Sequence, residues 1–435
     1  MPADTLFDAA VEAVSRDELR ARQEQLLRAQ VARCAGASSL YRAKLASVGT
    51  EPDEIRTLED LARVPVVTKE ELREDQRLHP PFGSFAVAPP SEFRELHPST
   101  GTTGTPVNTI WSAGDVETIT TVTMRTLWQF GVRAGDVIQN AFAYGLWVAG
   151  ISCHYAGERL GCLVVPTGTS ATTERQIEYL RSVGSTVLLS TPSYALHIAE
   201  RASELGLDPT ALSLRLGCFG GEAGAGNEAT RAKLEAGLGI DAFDYYGLAE
   251  VGPTFASECE AKAGIHIAED YVVVECVDPD THEPVPEGEL GVLVFTHLTR
   301  EATPMIRYWS NDYARLSTEP CGCGRTHVRA VGGIVGRHDD LVVFRGAKFY
   351  PSQVERVVCS FDDLSDEFRI EVAVVDDALV ERCTVVCELR GNPAGLEDRL
   401  RRSLRAELGV TPELRLEPYG TLERSAFKAQ RLVRV

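Results

Sequence analysis

The middle of this chain alternates between short apolar runs and stretches in which apolar residues recur at helical spacing. Apolar runs of this length are typical of buried strands, and the intervening spacing is typical of helices. We predict strands at 137–142, 161–165, 186–190 and 214–219, and helices at 150–158, 173–183, 193–205 and 228–237. Strands that alternate with helices form βαβ units, so the region is predicted to be α/β with a mostly parallel sheet. Ligands bind such sheets where strands end and helices begin, a place that segments 219–224 and 245–250 fit.

Helices are also predicted before this region. Ser15 with Glu18 and Thr68 with Glu71 have the spacing of capping boxes, which predicts one helix at 15–31 and another after Pro65. A further helix is predicted at 115–130, with Gly131 as its stop. We identify no candidate chemistry in the N-terminal helices and expect them to pack on a larger domain.

From Tyr271 the pattern changes to local antiparallel strands. Strands at 271–277 and 289–296 flank a turn at 279–282, and segment 305–315 follows, which predicts a small barrel-like subdomain. A Gly-rich and then charged linker at 332–340 precedes predicted strands at 341–344, 369–375, 382–389 and 414–417 and helices at 352–360 and 395–408. We therefore predict a large domain at 1–335, with βαβ sheets and the barrel-like subdomain, and a small mobile C-terminal α+β domain at 336–435.

Composition narrows the classes of function. The 435 residues carry a net charge of −19, which opposes binding to nucleic acid or to an anionic membrane. The N-terminus is acidic and is not expected to be a secretory signal, and no apolar run approaches membrane-spanning length. Eleven scattered cysteines in a chain this long indicate thiols and a cytoplasmic location.

One segment, from His97 to Val107, consists largely of Ser, Thr and Gly between prolines. It cannot fill a core, and its uncovered N–H groups and hydroxyls can turn towards one anion, so it predicts a phosphate-binding loop. It lacks the Gly-Lys-Ser/Thr ending of the common nucleotide loop. The alternative is an ordinary Ser/Thr/Gly turn.

Five motifs follow one another in a recognisable order: segments 99–104, 246–250, 307–312, 336–340 and 427–431. This set resembles the adenylate-forming ligases that include acyl-CoA and aryl-CoA synthetases. Segments 39–42, 61–69, 300–308 and 321–327 make the chain most similar to the phenylacetate–CoA ligase group. The resemblance spans essentially the whole chain and implies a two-step reaction. A carboxylate attacks the α-phosphorus of ATP to give an acyl-adenylate and pyrophosphate, and a thiol then displaces AMP.

The resemblance also implies roles for individual residues. Glu250 is the expected Mg²⁺ ligand, Asp312 would accept from the ribose hydroxyls, Arg337 would reach the ribose or phosphate, Asp339 would be the hinge, and Lys428 would serve adenylation. An exposed glutamate at a helix start is the alternative for Glu250, a turn aspartate for Asp312 and a solvated tail lysine for Lys428. The remaining nucleotide-binding residues implied are Ser99, Thr100, Gly101, Thr102, Thr103 and Gly104 for the pyrophosphate, Gly220, Gly221 and Glu222 for the adenine, and Tyr245, Tyr246 and Gly247.

Two positions depart from the pattern of the family. Many relatives have Lys where this chain has Thr105, and most have Thr or Ser where it has Ala249. The first change removes a charge from pyrophosphate binding, and the second removes a hydroxyl from the α-phosphate. The first change leaves more of the phosphate charge to a metal held by Glu250.

The resemblance also implies that the acid substrate contacts an aromatic cluster where members of the family line their aryl site, and aromatic walls suit a planar aromatic acid. Ordinary core packing explains each of these residues equally well. The predicted lining is Phe142, Tyr144, Trp147, His154 and Phe219.

Three cysteines and a histidine are predicted to hold a structural zinc ion. Cys259, His266, Cys321 and Cys323 supply a complete tetrahedral shell, with His327 as a substitute ligand. Reduced free cysteines are the alternative.

We therefore expect a cytoplasmic, homodimeric ligase that joins an aryl acid of the phenylacetate or benzoate type to coenzyme A, with ATP and Mg²⁺. Two alternatives stay open. The acyl group could go to a carrier-protein thiol, or the chain could be a nucleotide-binding regulatory protein without turnover, which Thr105 and Ala249 would favour.

Overall fold

The computed structural model describes residues 5–99, 105–375, 379–391, 394–424 and 429–435. Six predicted site residues lie outside the described residues: Thr100, Gly101, Thr102, Thr103, Gly104 and Lys428. The chain divides into two compact units, which we describe separately. The first is Met1–Gly168 with Tyr245–Gly333, and the second is Thr169–Asp244 with Ile334–Val435.

The first unit begins with helices, and the two N-caps predicted among them, Ser15 and Thr68, are confirmed. The helices are α1 (Ala9–Glu12), α2 (Arg16–Ala37), α3 (Ser39–Ser47), α4 (Leu58–Leu61) and α5 (Lys69–Leu78). The Ser15 hydroxyl accepts from the Glu18 N–H at 3.3 Å, and Thr68 and Glu71 form both bonds of a capping box. Helix α2 continues past its predicted end at 31 to Ala37, where Ser38 caps the next helix.

A hairpin and a βαβ unit follow in the same unit. The elements are β1 (Glu95–Pro98), β2 (Asn108–Trp111), α6 (Ala113–Gln129), β3 (Val137–Asn140), α7 (Val148–Arg159) and β4 (Leu163–Val165). Strands β1 and β2, which flank the hydroxyl-rich segment, pair antiparallel with Pro98 opposite Asn108, and the sequence pattern did not predict this pairing. Strands β3 and β4 pair in parallel, as predicted.

The second unit starts with the parallel strands predicted for the middle of the chain. Its elements are α8 (Thr173–Tyr179), β5 (Val187–Ser190), α9 (Pro192–Glu204), β6 (Leu216–Phe219), α10 (Glu228–Leu238) and the first half of β7 (Asp241–Leu248). Strands β5, β6 and β7 pair in parallel in that order. The helix predicted at 173–183 ends at Tyr179, and Leu180–Gly184 continues it as a π-helical turn.

The chain then returns to the first unit, where antiparallel strands confirm the predicted change of pattern. They are β8 (Gly252–Glu258), β9 (Ile265–Ile267), β10 (Val272–Val277), β11 (Leu290–His297), β12 (Tyr308–Ser317) and β13 (Arg329–Ala330), paired in the order β8-β9-β13-β12-β11-β10. The second half of β7 pairs antiparallel with β8. Segment 245–250, predicted at a strand end before a helix, therefore forms a strand and a turn into a second strand.

The C-terminal part of the second unit is an α+β sandwich. Its elements are β14 (Gly336–Arg337), β15 (Val342–Phe344), β16 (Ala347–Phe349), α11 (Pro351–Val358), β17 (Leu364–Val375), β18 (Leu379–Leu389), α12 (Leu396–Leu408), β19 (Glu413–Pro418) and β20 (Leu432–Arg434). A sheet in the order β19-β18-β17-β20 packs on α12, whose leucines at 396, 400, 404 and 408 recur at helical spacing and are buried. Strand β20, parallel to β17, was not predicted. Over the described ranges, no helix combines the length and the apolar character needed to span a bilayer.

Arg307 ties the N-terminal helices to the antiparallel sheet of the first unit. Its side chain is buried, and one guanidinium nitrogen donates to the carbonyls of Ala62 at 2.8 Å and Val64 at 2.7 Å. The Val67 N–H donates to the Arg307 carbonyl at 2.9 Å. Arg307 has a φ of 48°, a strained value for a residue with a side chain. The segment that leads into α5 is therefore anchored at the start of β12.

Candidate active site

The hydroxyl-rich loop is closed at its base by Ser99, which is 3% exposed. Its N–H donates to the Val107 carbonyl at 2.8 Å, and its hydroxyl accepts from the Val107 N–H at 3.0 Å. These bonds join the two sides of the loop. In the structure Ser99 binds Val107, and its contact with phosphate stays a prediction.

Helix α5 lies along the segment by which the chain returns from this loop. Arg73 Nε donates to the Thr105 carbonyl at 3.0 Å, and Gln76 Nε2 donates to the Pro106 carbonyl at 3.1 Å. Gln76 Oε1 accepts from the Asn108 N–H at 2.8 Å. Residues three apart share a helix face, so one polar face of α5 holds the end of the loop.

Glu250 lies in the turn between β7 and β8, and its side chain is 4% exposed. The Lys69 ammonium, at the first residue of α5, is 2.9 Å from Glu250 Oε1. Among the described residues this oxygen has no well-directed hydrogen bond, so the contact is an ion pair. A buried carboxylate oxygen of this kind is suited to a hard cation, and Glu250 therefore fits its predicted role as a Mg²⁺ ligand.

The turn that carries Glu250 touches the hairpin. The Thr109 hydroxyl of β2, which donates to the His97 carbonyl, also lies 3.3 Å from the Ala249 carbonyl. Next to the turn, β7 has an irregular register at Gly247, where a Cβ atom would lie 2.0 Å from the Pro253 carbonyl oxygen. Only glycine permits this approach of the two backbones. Gly247 thus has a structural reason in β7, and its predicted contact with nucleotide stays a prediction.

Tyr246 and Asp312 bring β7 and β12 together. The Tyr246 hydroxyl donates to Asp312 Oδ2 at 2.7 Å, and the Asp312 N–H donates to the Ser310 hydroxyl at 2.9 Å. Asp312 is 3% exposed. A buried carboxylate held by a neutral donor in one orientation can accept further hydrogen bonds from a ligand. Two residues predicted separately for the nucleotide are therefore in direct contact.

Four of the five predicted acid-pocket residues cluster in the first unit. The Phe142 ring is 1% exposed, and it packs edge-on against Trp147 at 5.8 Å and Tyr245 at 6.0 Å. The Tyr144 hydroxyl lies 3.1 Å from His154 Nδ1, and burial raises the pKa of this phenol. Phe142 is thus a packing residue that supports the cluster, while the partly exposed Tyr144, Trp147 and His154 present its polar and aromatic edges.

The fifth, Phe219, ends β6 in the second unit and is fully buried. Gly220 and Gly221 follow it, and Gly221 has a φ of 88°. The carboxylate of Glu222 accepts from two backbone N–H groups, that of Ser193 at 3.0 Å and that of Ala429 at 2.8 Å. Glu222 therefore joins the start of α9 to the residue that directly follows Lys428 in the sequence.

Arg337 and Asp339 pair with each other in the second unit. Arg337 Nε lies 2.9 Å from Asp339 Oδ1, and a second guanidinium nitrogen lies 2.9 Å from Oδ2. Both side chains are partly exposed. A bidentate pair of this kind fixes a short linker in one conformation, and the predicted ribose contact and hinge role stay predictions.

The sequence of this chain matches two models of known protein families. Residues 27–308 match the AMP-binding enzyme family, and residues 346–434 match the AMP-binding enzyme C-terminal domain.

The chain belongs to the AMP-binding enzyme family.

Characterised members are similar over nearly the whole chain. The phenylacetate–coenzyme A ligase of Thermus thermophilus is 38% identical over 97% of this chain and 97% of its own length. The enzyme of the same name from Pseudomonas putida is 37% identical over 98% of this chain and 96% of its own. The predicted membership of the phenylacetate–CoA ligase group is thereby confirmed.

Solved AMP-binding enzymes share the fold. The 2-hydroxyisobutyryl-CoA ligase in its postadenylation state superposes with a TM-score of 0.92 at 29% identity, covering 100% of this chain and 94% of that one. The same ligase with coenzyme A in its thioesterification state gives a TM-score of 0.76 at 30% identity, covering 100% and 93%. The predicted α/β fold, with a large N-terminal sheet region and a smaller C-terminal domain, is confirmed.

This AMP-binding enzyme also has the predicted cluster of metal ligands. One ligand atom from each of Cys259, His266, Cys321 and Cys323 lies within 4.8 Å of the others, and all four residues are buried. His266 Nδ1 lies 3.2 Å from the His327 carbonyl, which leaves Nε2 towards the thiols, 3.4 Å from Cys323 Sγ. His327 itself contacts the Val11 carbonyl at 3.2 Å and is not part of the cluster. The donor set fits zinc.

One candidate site residue, Lys69, is not among the residues predicted from the sequence. Lys69 belongs to segment 61–69, which contributes to the family resemblance. It also lies among the N-terminal helices, for which we predict no catalytic or binding role. The structure corrects that view, because α5 brings the Lys69 ammonium to Glu250. The available signal was a lysine directly after the Thr68 cap.

Proposed function

We propose that this chain is an ATP-dependent ligase that joins an aromatic carboxylic acid of the phenylacetate or benzoate type to coenzyme A. The observation that carries the proposal is the buried Glu250 carboxylate, paired with Lys69 beside the hydroxyl-rich hairpin. It occurs in a chain that resembles phenylacetate–coenzyme A ligases from end to end.

In the first step the acid carboxylate attacks the α-phosphorus of ATP and the bond to pyrophosphate breaks. We assign residues 99–104 to the leaving pyrophosphate, Asp312 to the ribose hydroxyls and Lys428 to the charge that develops on the α-phosphate. Glu250 would hold Mg²⁺, which supplies positive charge to the phosphates. Tyr246 keeps the Asp312 carboxylate in one orientation, which supports the ribose role.

In the second step the thiolate of coenzyme A attacks the acyl carbon and AMP leaves. We propose that residues 336–435 act as a mobile domain between the steps, with Asp339 at the hinge. The two states of the 2-hydroxyisobutyryl-CoA ligase support this, because their TM-scores to this chain differ, at 0.92 and 0.76. The Arg337–Asp339 pair would break or re-form as the linker turns.

The acid is proposed to be aromatic because Trp147 and Tyr144 present partly exposed rings on a buried support. Tyr144 and His154 form a polar contact at 3.1 Å that can meet a hydroxyl or amino substituent on the ring.

The test is a screen for pyrophosphate release with ATP and a panel of phenylacetate, benzoate, aminobenzoates and hydroxybenzoates, followed by thioester formation with free coenzyme A. Glu250→Gln, which keeps the shape of the side chain and removes its charge, should abolish release, and the exposed Arg77→Met should not change it. ATP binding without release with any acid would favour the regulatory alternative. Release followed by transfer to a phosphopantetheinyl carrier protein, and not to free coenzyme A, would favour the carrier alternative.

We also propose a structural zinc ion held by Cys259, His266, Cys321 and Cys323, supported by their burial and by the orientation of His266. A closed shell of four protein ligands has no open position, so the ion would stabilise the local strands and take no part in the reaction. A cytoplasmic location is supported by eleven buried thiols. Homodimer formation stays a prediction from the sequence, which light scattering can test.

A further inference from the structure

The loop that is proposed to hold pyrophosphate brings little charge of its own. The chain has a net charge of −19, and residues 97–107 carry hydroxyls but no lysine or arginine. Thr105, at the end of this loop, is exposed and contributes only a neutral side chain. A triphosphate bound beside the buried Glu250 would be repelled by this carboxylate. Cationic side chains from other parts of the fold must therefore offset the repulsion.

Helix α5 brings such cations. Lys69, Arg73 and Gln76 are spaced four and three residues apart, which places them on one face of the helix. Arg73 and Gln76 hold the carbonyls of Thr105 and Pro106, so the helix is fixed against the end of the loop. The same face therefore sets both the position of the loop and the position of the Lys69 ammonium.

The start of α5 is held by a capping box between Thr68 and Glu71. The Thr68 N–H donates to Glu71 Oε2 at 2.9 Å and the Glu71 N–H donates to Thr68 Oγ1 at 3.2 Å. Lys44 contacts Glu71 at 2.5 Å and the Val66 carbonyl at 2.6 Å, so that lysine is engaged in holding the cap. Among the described residues, the ion-pair partner of Lys69 is Glu250, and its side chain keeps 21% of its surface exposed.

We propose that Lys69 is a phosphate-binding residue that supplies, from α5, the positive charge absent at Thr105. An ammonium has three donors, and the contact with one oxygen of Glu250 leaves capacity for phosphate oxygens. Lysine is suited to this as a compact charge on a flexible stem. The inference rests on the proposed function, because it requires that ATP binds beside Glu250.

The structural alternative is that Lys69 only neutralises a buried carboxylate. Removing one partner of a buried ion pair leaves the other charge uncompensated, which would lower stability and disturb the site indirectly. The two roles differ in which nucleotides they affect. A residue that binds the β- and γ-phosphates matters for ATP and for pyrophosphate, whereas AMP lacks those groups.

The experiment measures the dissociation constants of ATP with Mg²⁺, of pyrophosphate and of AMP by calorimetry for the full chain and for Lys69→Met. We expect ATP and pyrophosphate to bind about 10- to 100-fold more weakly, the range of a lost charge-assisted hydrogen bond, and AMP to bind within about twofold of the parent. Lys69→Arg, which keeps the charge, should retain most of the ATP affinity. Arg77→Met is the matched control, because Arg77 lies on the same helix in an exposed pair with Glu74.

Equal weakening of ATP and AMP, or unchanged ATP affinity, would overturn the inference. The same measurements in a Glu250→Gln background separate the two roles further. If Lys69→Met still weakens ATP there, Lys69 binds phosphate directly, and if its effect vanishes, Lys69 acts only through Glu250 and the proposal is wrong. Failure of the parent chain to bind ATP would instead refute the proposed function. Should Lys69→Met not fold, Lys69→Gln with the same nucleotides decides between the outcomes.

Discussion

The Tyr246 hydroxyl donates a hydrogen bond to Asp312 Oδ2 at 2.7 Å, across two strands that are far apart in the sequence. Asp312 is buried, and its N–H is itself bound to the Ser310 hydroxyl. The carboxylate proposed to bind ribose is thus held by a side chain from the strand that leads to Glu250. Nucleotide binding should therefore depend on a phenol that need not touch the nucleotide.

Tyr246→Phe tests this dependence. The variant removes one donor from a buried carboxylate, at a cost of about 1 to 3 kcal/mol. We expect the KM for ATP to rise about fivefold or more, with a smaller change in the KM for the acid. Steady-state kinetics with each substrate varied in turn measures both, and Tyr155→Phe, which removes a hydroxyl bound to Glu95, is the control. Equal changes in the two KM values would contradict the assignment of Asp312 to the ribose.

Glu222→Ala is predicted to share the phenotype of Lys428→Ala. Its carboxylate holds the Ala429 N–H, next to Lys428 in the sequence. Both variants should slow adenylation, by about tenfold or more for Glu222→Ala, and spare thioester formation from a supplied acyl-adenylate. Pyrophosphate exchange and a thioester assay measure the two steps, and the exposed Glu228→Ala is the control. Equal loss of both steps in Lys428→Ala would refute its role in adenylation.

The stability of the second unit should depend on pH through Glu355. Burial raises the pKa of this carboxyl to about 7, with Glu222 and Asp366 acting in the same direction and Arg431 and Thr230 opposing it. The native state therefore keeps a proton that the unfolded chain releases near its ordinary value of 4.5. The free energy of unfolding should fall as pH rises from 4.5 to about 7, by at most about 3 kcal/mol, and then level off.

Glu355→Gln should remove this dependence, because the amide does not titrate. Thermal unfolding of both proteins from about pH 5 to pH 8 measures it. A parent melting temperature that falls no more steeply than that of the variant over this range would contradict the prediction.

Metal analysis should find about one zinc ion per chain in protein purified without chelators. Cys323→Ser should lose the zinc and melt at a lower temperature, while keeping its affinity for ATP, because the proposed ion is structural. Cys162→Ser is the control, since Cys162 lies outside the cluster. A chain without zinc, or with a loss of ATP affinity in Cys323→Ser that matches the loss of zinc, would oppose the structural role.

The pattern of the sequence predicted the helices and parallel strands well, because these follow from local periodicity. Strand β7 was missed because segment 245–250 was interpreted as the end of a strand before a helix, whereas its residues 245–248 continue β7 by pairing with β8. The short strand β20 was missed because its partner, β17, is distant in the sequence.

The sequence predicts which types of residue form the candidate site. It does not predict the contacts between them. The cluster of three cysteines and a histidine could be predicted because three thiols and an imidazole are a complete donor set for zinc, whatever the fold. The Lys69–Glu250 and Tyr246–Asp312 contacts join elements that no periodicity relates. Phe142, which the family resemblance assigned to the acid site, is buried in the structure, and its contact with the acid stays a prediction.

The anchoring of the N-terminal helices by Arg307 has a consequence for recombination between relatives. The buried guanidinium binds the carbonyls of Ala62 and Val64, and the Val67 N–H returns a bond to the Arg307 backbone. In a chimera with a crossover between these helices and β12, the Arg307 guanidinium and the carbonyls that it binds would come from different parents. The first seventy or so residues and the β12 region should therefore be inherited as one block, and crossover points chosen by sequence conservation alone would divide it.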